Sequence, residues 1–319
     1  MIGRSVGTRF DDRFRLLRVL GQGAMGHVYE VADEKLQDVR WALKELDLGV
    51  VLEQEKEEAI ALFQREIEIM TKLSHPGCPR IVHEFVTDKG APAFVMTRVD
   101  GVPLDVLTEE MDRPLSLHEA LPILLQVCHI LEHLHLQEPK VIFRDLKPSN
   151  LMLTDVGKVV LIDFGIARLY DPNKKKDTQE LGTPGFCSPE QYGRGQTTAR
   201  SDIYSLATTA YYLITKADVQ SYAFKFPPLT DHVPGPQSQE LSNLLESMLS
   251  LKSDDRPKSV AQVRAKLTKV FKQLKPDRDR STSILRPCLR ALTEQPIEPT
   301  QRLKVFNGKF LGRWFRTFF

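Results

Sequence analysis

The chain has 319 residues, of which 41% are hydrophobic and 27% are charged, proportions typical of a globular protein. A formal net charge of +2 argues against a polyanionic partner such as nucleic acid for the chain as a whole. The four cysteines are far apart and form no CxxC pair, which argues against a metal finger or a disulfide scaffold and favours a reducing compartment.

Apolar periodicity predicts strands in the first third of the chain and helices after it. Strands are predicted at 14–20, 27–32, 39–46, 81–86 and 93–99, with a helix at 53–73. Later helices are predicted at 116–137, 202–215, 237–251 and 259–274, and a small hairpin at 151–153 and 159–162. This order indicates an α+β fold of two lobes, 14–97 and 100–274, within one domain at 14–274. Residues 1–13 are interpreted as an N-terminal extension and 275–319 as a linker with a basic aromatic tail.

A glycine turn stands between the first two predicted strands. Gly21, Gly23 and Gly26 have GxGxxG spacing, which also fits a plain glycine-rich hairpin or a dinucleotide-binding turn. A dinucleotide site needs a helix directly after the glycines, whereas a strand follows here. A strand–glycine–strand hairpin can lay backbone N–H groups over phosphates, because glycine lets the chain come close.

A lysine and a glutamate follow at positions suited to phosphate binding. Lys44 lies in an apolar strand, and Glu66 lies on the next predicted helix, where it would orient the lysine toward phosphates. The alternative is that both are ordinary surface residues, because lysine and glutamate are usually exposed. The sequence alone does not decide whether the two side chains meet.

The segment 143–150, FRDLKPSN, places three chemical groups in one predicted loop. Phosphoryl transfer needs a carboxylate to orient the attacking hydroxyl, a cation to offset charge and an oxygen ligand for magnesium. Asp145, Lys147 and Asn150 supply these groups. Asp163 follows an apolar strand in the sequence Asp-Phe-Gly, so its carboxylate is well placed to bind magnesium.

In this order and spacing, the motifs resemble the eukaryotic-like protein kinase superfamily, including bacterial serine/threonine members, across residues 14 to about 272. The resemblance implies transfer of the γ-phosphoryl group of ATP to serine or threonine hydroxyls of protein substrates, with Mg²⁺, or alternatively Mn²⁺. It implies a catalytic set consisting of the base Asp145 with Lys147, Lys44 and Glu66. The metal ligands it implies are Asn150 and Asp163. The implied ATP-binding set is Leu20, Gly21, Gly23, Gly26, Val28, Ala42, Lys44, Met96, Thr97, Val99, Asn150 and Asp163, with 96–99 as the hinge.

The resemblance also implies interactions that support the site. Glu190 is expected to pair with Arg256 and so anchor the lower lobe, and Asp202 is expected to support the catalytic loop. Thr183 is expected near the substrate channel, where it and Lys147 fit the serine/threonine pattern.

Regulation is expected to involve the activation segment. By resemblance, Arg144 binds a phosphate on this segment, and Thr178 is the best-placed acceptor, ahead of Thr183. A phosphate there would add negative charge and order the segment against Arg144. A constitutively ordered segment is the alternative.

The chain departs from the family pattern at Phe143, where histidine is usual. Because that position packs against Phe164, an aromatic hydrocarbon can fill it, and we expect activity to persist. A pseudokinase or ATP-binding scaffold with little catalysis stays open as an alternative, as does a small-molecule kinase of the same fold. His129 and His133 also fit the zinc-peptidase pattern HxxEH, which is short and equally describes a helix face.

Residues 302–319 contain no acidic residue, and a helical wheel places a basic stripe opposite an aromatic one. This pattern predicts association with an anionic membrane surface; docking on the chain's own kinase domain or a partner, or a disordered remnant, are the alternatives. No apolar signal segment and no run of about 18 apolar residues are present. We therefore expect a cytoplasmic location, with a peripheral position at the inner membrane surface as the variant.

Overall fold

An antiparallel sheet and one helix form the N-terminal lobe of the computed structural model, which describes residues 4–23, 26–37, 39–171, 182–193 and 195–274. The strands are β1 (Arg9–Phe10), β2 (Phe14–Gly23), β3 (Gly26–Asp33), β4 (Val39–Leu46), β5 (Ile81–Val86) and β6 (Pro92–Thr97). The helix is α1 (Lys56–Lys72). The strand order across the sheet is β1-β2-β3-β4-β6-β5.

The two faces of this sheet serve different purposes because side chains alternate along each strand. One face buries an apolar cluster made of Phe10, Phe14, Leu16, Tyr29, Val31, Leu43, Ala93 and Val95. On the other face, Val28 lies opposite Lys44, and Ala42 lies opposite Met96. The register therefore brings the predicted nucleotide-binding side chains of three strands to one surface.

Helix α1 buries one face and carries a carboxylate into it. Ala59, Phe63, Ile69 and Met70 are buried at helical spacing, and Glu66 is buried among them. A buried carboxylate costs stability unless it is paired, so Glu66 needs a cation. The helix thus presents an acid to the sheet.

The C-terminal lobe is mainly helical. Its helices are α2 (Leu104–Glu110), α3 (Leu117–His135), α4 (Ala199–Thr215), α5 (Pro236–Met248) and α6 (Val260–Gln273). Its short strands are β7 (Gly101–Pro103), β8 (Val141–Ile142), β9 (Leu151–Thr154), β10 (Val159–Leu161) and β11 (Arg168–Leu169). Helix α3 begins with a capping box between Ser116 and Glu119 and packs against α4 and α6. Strands β10, β9 and β7 form one small sheet, and β8 pairs with β11.

The predicted two-lobed α+β fold is confirmed, with differences at element ends. The strand predicted to reach residue 99 ends at Thr97, and the first turn of the predicted helix at 53–73 is a 3-10 turn. Strands β1, β7, β8 and β11 and helix α2 were not predicted. Within the described residues, none of the helices is long and apolar enough to cross a membrane.

The predicted N-terminal extension contributes to the small lobe. Phe10 pairs with Phe14 across β1 and β2. Arg4 lies over the ring of Phe10, and its guanidinium donates to Glu45 at 2.7 Å and to Asp88 at 3.0 Å. The domain boundary at residue 14 stays a prediction. The membrane, docking and disordered-remnant interpretations of the tail also stay predictions, because 275–319 lie outside the described residues.

Candidate active site

A lysine bridges two carboxylates where the lobes meet. Lys44 Nζ lies 2.7 and 2.9 Å from the two carboxylate oxygens of Glu66, and 2.9 Å from Asp163 Oδ1. Lys44 and Glu66 belong to the N-terminal lobe, whereas Asp163 follows β10 of the C-terminal lobe. Glu66 is 3% exposed but Asp163 is 54% exposed, so the cluster opens toward solvent through Asp163.

Lys44 affects the pKa of both carboxylates in this cluster. The Lys44 cation lowers the pKa of Asp163, which stays ionised although burial acts in the opposite direction. Burial raises the pKa of Glu66, and the attraction of Lys44 opposes that shift. The arrangement leaves a fixed cation beside an ionised, accessible carboxylate.

The predicted catalytic loop converges on one carboxylate. Thr183 donates its hydroxyl hydrogen to Asp145 Oδ1 at 2.7 Å and accepts from Lys147 Nζ at 2.6 Å. Lys147 Nζ also lies 2.9 Å from Asp145 Oδ2. Asn150 Nδ2 donates to the same oxygen at 3.0 Å and to the Asp145 carbonyl at 2.8 Å. All four side chains therefore form one polar network.

Asp202, buried on α4, holds the loop through its backbone. Its carboxylate accepts from the backbone N–H of Phe143 at 3.0 Å and of Arg144 at 2.8 Å. The ring Nε2 of His135 lies 2.7 Å from the same carboxylate. Gln191 Nε2 donates to the Arg144 carbonyl at 2.8 Å. The backbone on both sides of Arg144 is thus fixed by side chains from other elements.

Two residues at the site have left-handed backbone. Arg144 has φ 74° and Asp163 has φ 63°, a region that costs energy for a residue with a side chain. The contacts from Asp202 and Gln191 compensate for this strain at Arg144. Such strain persists only where surrounding structure over-determines it, and it concentrates at functional sites.

Phe143 packs as the sequence suggests. Its ring and that of Phe164 are both fully buried, with centroids 5.3 Å apart in an edge-to-face arrangement at 81°. The contact joins the residue before Arg144 to the Asp-Phe-Gly segment. At this position the two segments are therefore linked by hydrocarbon contact between the rings.

The glycine hairpin connects β2 and β3, with residues 24 and 25 outside the described part. A Cβ on Gly26 would lie 2.1 Å from the Glu45 carbonyl oxygen, so this position requires glycine for packing against β4. Gly21 has no atom within 4 Å of its would-be Cβ, and Gly23 has only the Gly26 carbonyl oxygen, at 3.9 Å. Glycine at 21 and 23 is not required by contacts within the described residues, which fits a loop that a ligand approaches closely.

The remaining predicted nucleotide-binding residues lie on the N-terminal sheet, on the face toward the cleft between the lobes, and in the segment joining the lobes. Val28, Ala42 and Met96 lie on the cleft-facing side of the sheet, and Leu20 directly precedes the glycine hairpin. Met96 and Thr97 end β6, and Val99 follows in the segment 98–100 between β6 and β7. The hinge predicted at 96–99 therefore begins within β6.

The expected anchor of the lower lobe is present. Arg256 donates to both carboxylate oxygens of Glu190, at 2.7 and 2.8 Å, and Ser201 donates to the same carboxylate at 2.6 Å. Burial alone would raise the pKa of Glu190, but Arg256 lowers it below its usual range. Arg256 itself is fully buried, so the pair is internal to the lobe.

Some residues escaped sequence reasoning, and others cannot be assessed. His135 and Gln191 were not predicted, although Ser188 and Gln191 form a capping box that its spacing would have revealed. Thr178 lies outside the described residues, so the proposed phosphate acceptor stays a prediction. Two of the HxxEH side chains contact other parts of the fold: Glu132 accepts a hydrogen bond from Arg264 Nε at 2.6 Å, and the ring centroids of His133 and His75 are 5.1 Å apart.

Comparison with known proteins agrees with this geometry. Residues 14–267 match the protein kinase domain family. The probable serine/threonine-protein kinase CE0033 of Corynebacterium efficiens is 32% identical over 243 residues, covering 73% of this chain and 36% of that protein. Serine/threonine-protein kinase PknB of Mycolicibacterium smegmatis is 32% identical over 285 residues, covering 83% and 44%. The chain spans less than half the length of these relatives.

Solved structures show the same fold. The kinase domain of PknI from Mycobacterium tuberculosis superimposes with a TM-score of 0.67 at 26% identity. The superposition covers 84% of this chain and 100% of that one. The similarity therefore includes both lobes and leaves out a part of this chain.

Proposed function

The chain belongs to the protein kinase family, and from this premise we propose that it transfers the γ-phosphoryl group of Mg-ATP to serine and threonine hydroxyls of protein substrates. The observation that carries the proposal is the Lys44 cation, held by Glu66 of one lobe beside the accessible Asp163 of the other. A cation fixed at this junction is suited to bind phosphates that lie between the lobes.

The residues present fit a magnesium ion. Asn150 uses its Nδ2 to bond Asp145, which leaves its amide oxygen as a donor atom, and Asp163 offers an ionised carboxylate. The backbone bond from Ile162 N–H to the Asn150 carbonyl, at 2.9 Å, keeps the two segments side by side. Phosphate oxygens would supply further ligands, because Mg²⁺ is usually bound by one or two carboxylates together with substrate phosphates. The bound metal would neutralise charge that develops on the phosphates.

The chemical step is carried out by Asp145 and the residues hydrogen-bonded to it. Asp145 accepts a hydrogen bond from the substrate hydroxyl, as it does from the Thr183 hydroxyl here, and later takes up its proton. The hydroxyl oxygen forms a bond to the γ-phosphorus, the bond from that phosphorus to the bridging oxygen breaks, and ADP leaves with the electron pair. Lys147 lies 2.9 Å from Asp145 and offsets negative charge on the moving group.

The proposal is tested by labelled ATP, Mg²⁺ and a mixed protein substrate, followed by phosphoamino-acid analysis. We expect phosphoserine and phosphothreonine from the unaltered protein. Asp145→Asn is expected to lower the rate at least about hundredfold, since it removes the general base. Asp155→Asn makes the same chemical change in the turn between β9 and β10 and is expected to keep the full rate. Near-normal transfer by Asp145→Asn would refute Asp145 as the general base. No transfer by the unaltered protein would show a scaffold rather than an enzyme.

A further inference from the structure

A buried glutamate on the cleft-facing side of the sheet has no role in the reaction above. Glu30 lies on β3, two residues from Val28 and directly opposite Ala42. Its side chain is 1% exposed. A carboxylate removed from water in this way must be compensated by charge and hydrogen bonds.

Three arginines provide that compensation, each from a different segment. Arg18 Nε of β2 lies 2.6 Å from Glu30 Oε2, and Arg40 Nη1 of β4 lies 2.9 Å from Oε1. Arg98 Nη1 lies 3.1 Å from the same Oε1 and also pairs with Asp100. Burial would raise the pKa of Glu30, but Arg40, Arg98 and Arg18 together lower it, so the carboxylate stays ionised.

Arg98 differs from the other two arginines because it belongs to the hinge. It stands between Thr97 and Val99, whereas Arg18 and Arg40 lie in the same sheet as Glu30. The Glu30–Arg98 contact therefore ties the strand that continues from the glycine hairpin to the segment joining the lobes. Movement of β3 and the glycine hairpin away from the hinge requires the Glu30–Arg98 contact to lengthen or break.

The same strand contains a second buried carboxylate, whose ion pair does not reach the hinge. Asp33, also fully buried, accepts from Arg13 Nε at 3.0 Å and Nη2 at 2.8 Å. Arg13 lies in the turn before β2, so this pair stays within the small lobe. The burial is similar, but Arg13 is the one arginine described on Asp33, so removing it would leave that carboxylate without a paired cation.

We propose that Glu30 and Arg98 form a hinge latch. This contact holds β3 and the glycine hairpin over a bound nucleotide and slows its release. The proposal rests on the proposed function, because it concerns the same nucleotide site. Both are positioning residues: they act through the hairpin and the hinge and touch no reacting atom. Loss of Arg98 leaves Glu30 paired with Arg18 and Arg40, so the latch can be removed without leaving a buried charge alone.

The test measures release of a fluorescent ADP analogue by stopped flow from the 319-residue chain with Mg²⁺. We expect Arg98→Met to raise the dissociation rate constant about tenfold, equivalent to about 1.4 kcal/mol. The change should appear in KM for ATP rather than in kcat, and the urea midpoint should stay close to that of the unaltered protein. Arg40→Met is the control: it removes another arginine from Glu30 within the sheet, leaves Arg18 and Arg98 in place, and should leave nucleotide release unchanged.

A double-mutant cycle sharpens the assignment. Glu30→Gln keeps the shape of the side chain and should also speed release, while the double variant Glu30→Gln with Arg98→Met should add little to either single change. Unchanged release in Arg98→Met overturns the latch. An equal increase in Arg40→Met overturns it as well, because it would show that any loss of charge around Glu30 loosens the sheet. An unaltered protein that binds no ADP analogue refutes the proposed function itself, a separate result read before any variant is compared.

Discussion

Two buried ion pairs lie in different regions of the molecule. Lys44 and Glu66 meet at the junction of the lobes, and Lys44 also contacts a third group, Asp163, from the opposite lobe. Glu190 and Arg256 meet inside the large lobe. There Arg256 also donates to three backbone carbonyls, those of Arg200, Ser250 and Leu251.

The difference shows how one type of interaction serves chemistry at one place and folding at another. The junction cluster is partly open to solvent and has a carboxylate available to a ligand. The Glu190–Arg256 pair is inaccessible from the Arg256 side, and all three guanidinium nitrogens of Arg256 donate hydrogen bonds to Glu190 or to backbone carbonyls. We infer that the first pair contributes mainly to turnover and the second mainly to the free energy of unfolding.

The largest effects should come from breaking each pair in turn. Lys44→Met is expected to lower phosphoryl transfer about a thousandfold, because it removes the cation at the phosphates. Its cost in stability should be small, since Glu66, whose pKa burial already raises, can take up a proton. Arg256→Leu is expected to lower the free energy of unfolding by about 3–5 kcal/mol, because Glu190 is left buried and unpaired.

Urea unfolding and initial-rate assays on both variants check this expectation. Lys269→Met, which breaks the exposed pair with Glu240, serves as the control and should change neither quantity appreciably. Equal destabilisation by Lys44→Met and Arg256→Leu would contradict the division into a chemical pair and a structural pair.

A smaller effect is expected between the two pairs, at Phe143. Because its ring packs against Phe164 and makes no polar contact, Phe143→His should change kcat by no more than about tenfold, or about 1.4 kcal/mol of barrier. Phe143→Ala removes the packing and should cost about 3–5 kcal/mol of stability. A loss of activity far beyond tenfold in folded Phe143→His would reveal a chemical role for the ring.

The smallest effect concerns a titratable contact between the loop after α1 and helix α3. His75 Nδ1 accepts from the Gly77 N–H at 2.9 Å, and burial, with His133 and His129 nearby, lowers the pKa of His75 to about 4. An unfolded histidine takes up its proton near pH 6.5, so the unfolded state binds more protons between about pH 6.5 and 4, and stability falls as pH falls through this window.

His75→Asn keeps an acceptor for Gly77 and removes the titration. Its Tm should therefore decrease less than that of the unaltered protein between pH 6.5 and 4, by about 2–4 °C. Thermal unfolding followed by circular dichroism at several pH values measures this difference. Parallel curves for the two proteins would rule out His75 as the titrating group.

The fold was predictable where the pattern is long. Helices α1 and α3 have 17 and 19 residues, which is long enough for the helical period of their apolar residues to be recognised in the sequence. Strands β8 and β11 have two residues each, which is too short for any period, and they form only because distant segments pair. Helix α2, with seven residues, has the same difficulty.

The site was predictable where its groups are close in sequence. Asp145, Lys147 and Asn150 lie in one loop, and their chemistry is evident from the residue types. That Lys44 and Glu66 meet required the structure, because 22 positions separate them and both residue types are usually exposed. Glu30 appeared to be an ordinary polar residue of a strand, since nothing in the sequence indicates three arginines converging on it.

The N-terminal segment determines where the protein can be cut. Residues 4–13 precede the stretch that matches the protein kinase family, yet Phe10 is buried against Tyr29 and Phe85. A protein trimmed to begin at residue 14 would lose the cation that pairs with Glu45 and expose aromatic surface that residue 10 now covers. Recombinant versions should therefore retain residue 4 and place any affinity tag before it, because β1, which the family boundary leaves out, completes the sheet and covers part of its apolar face.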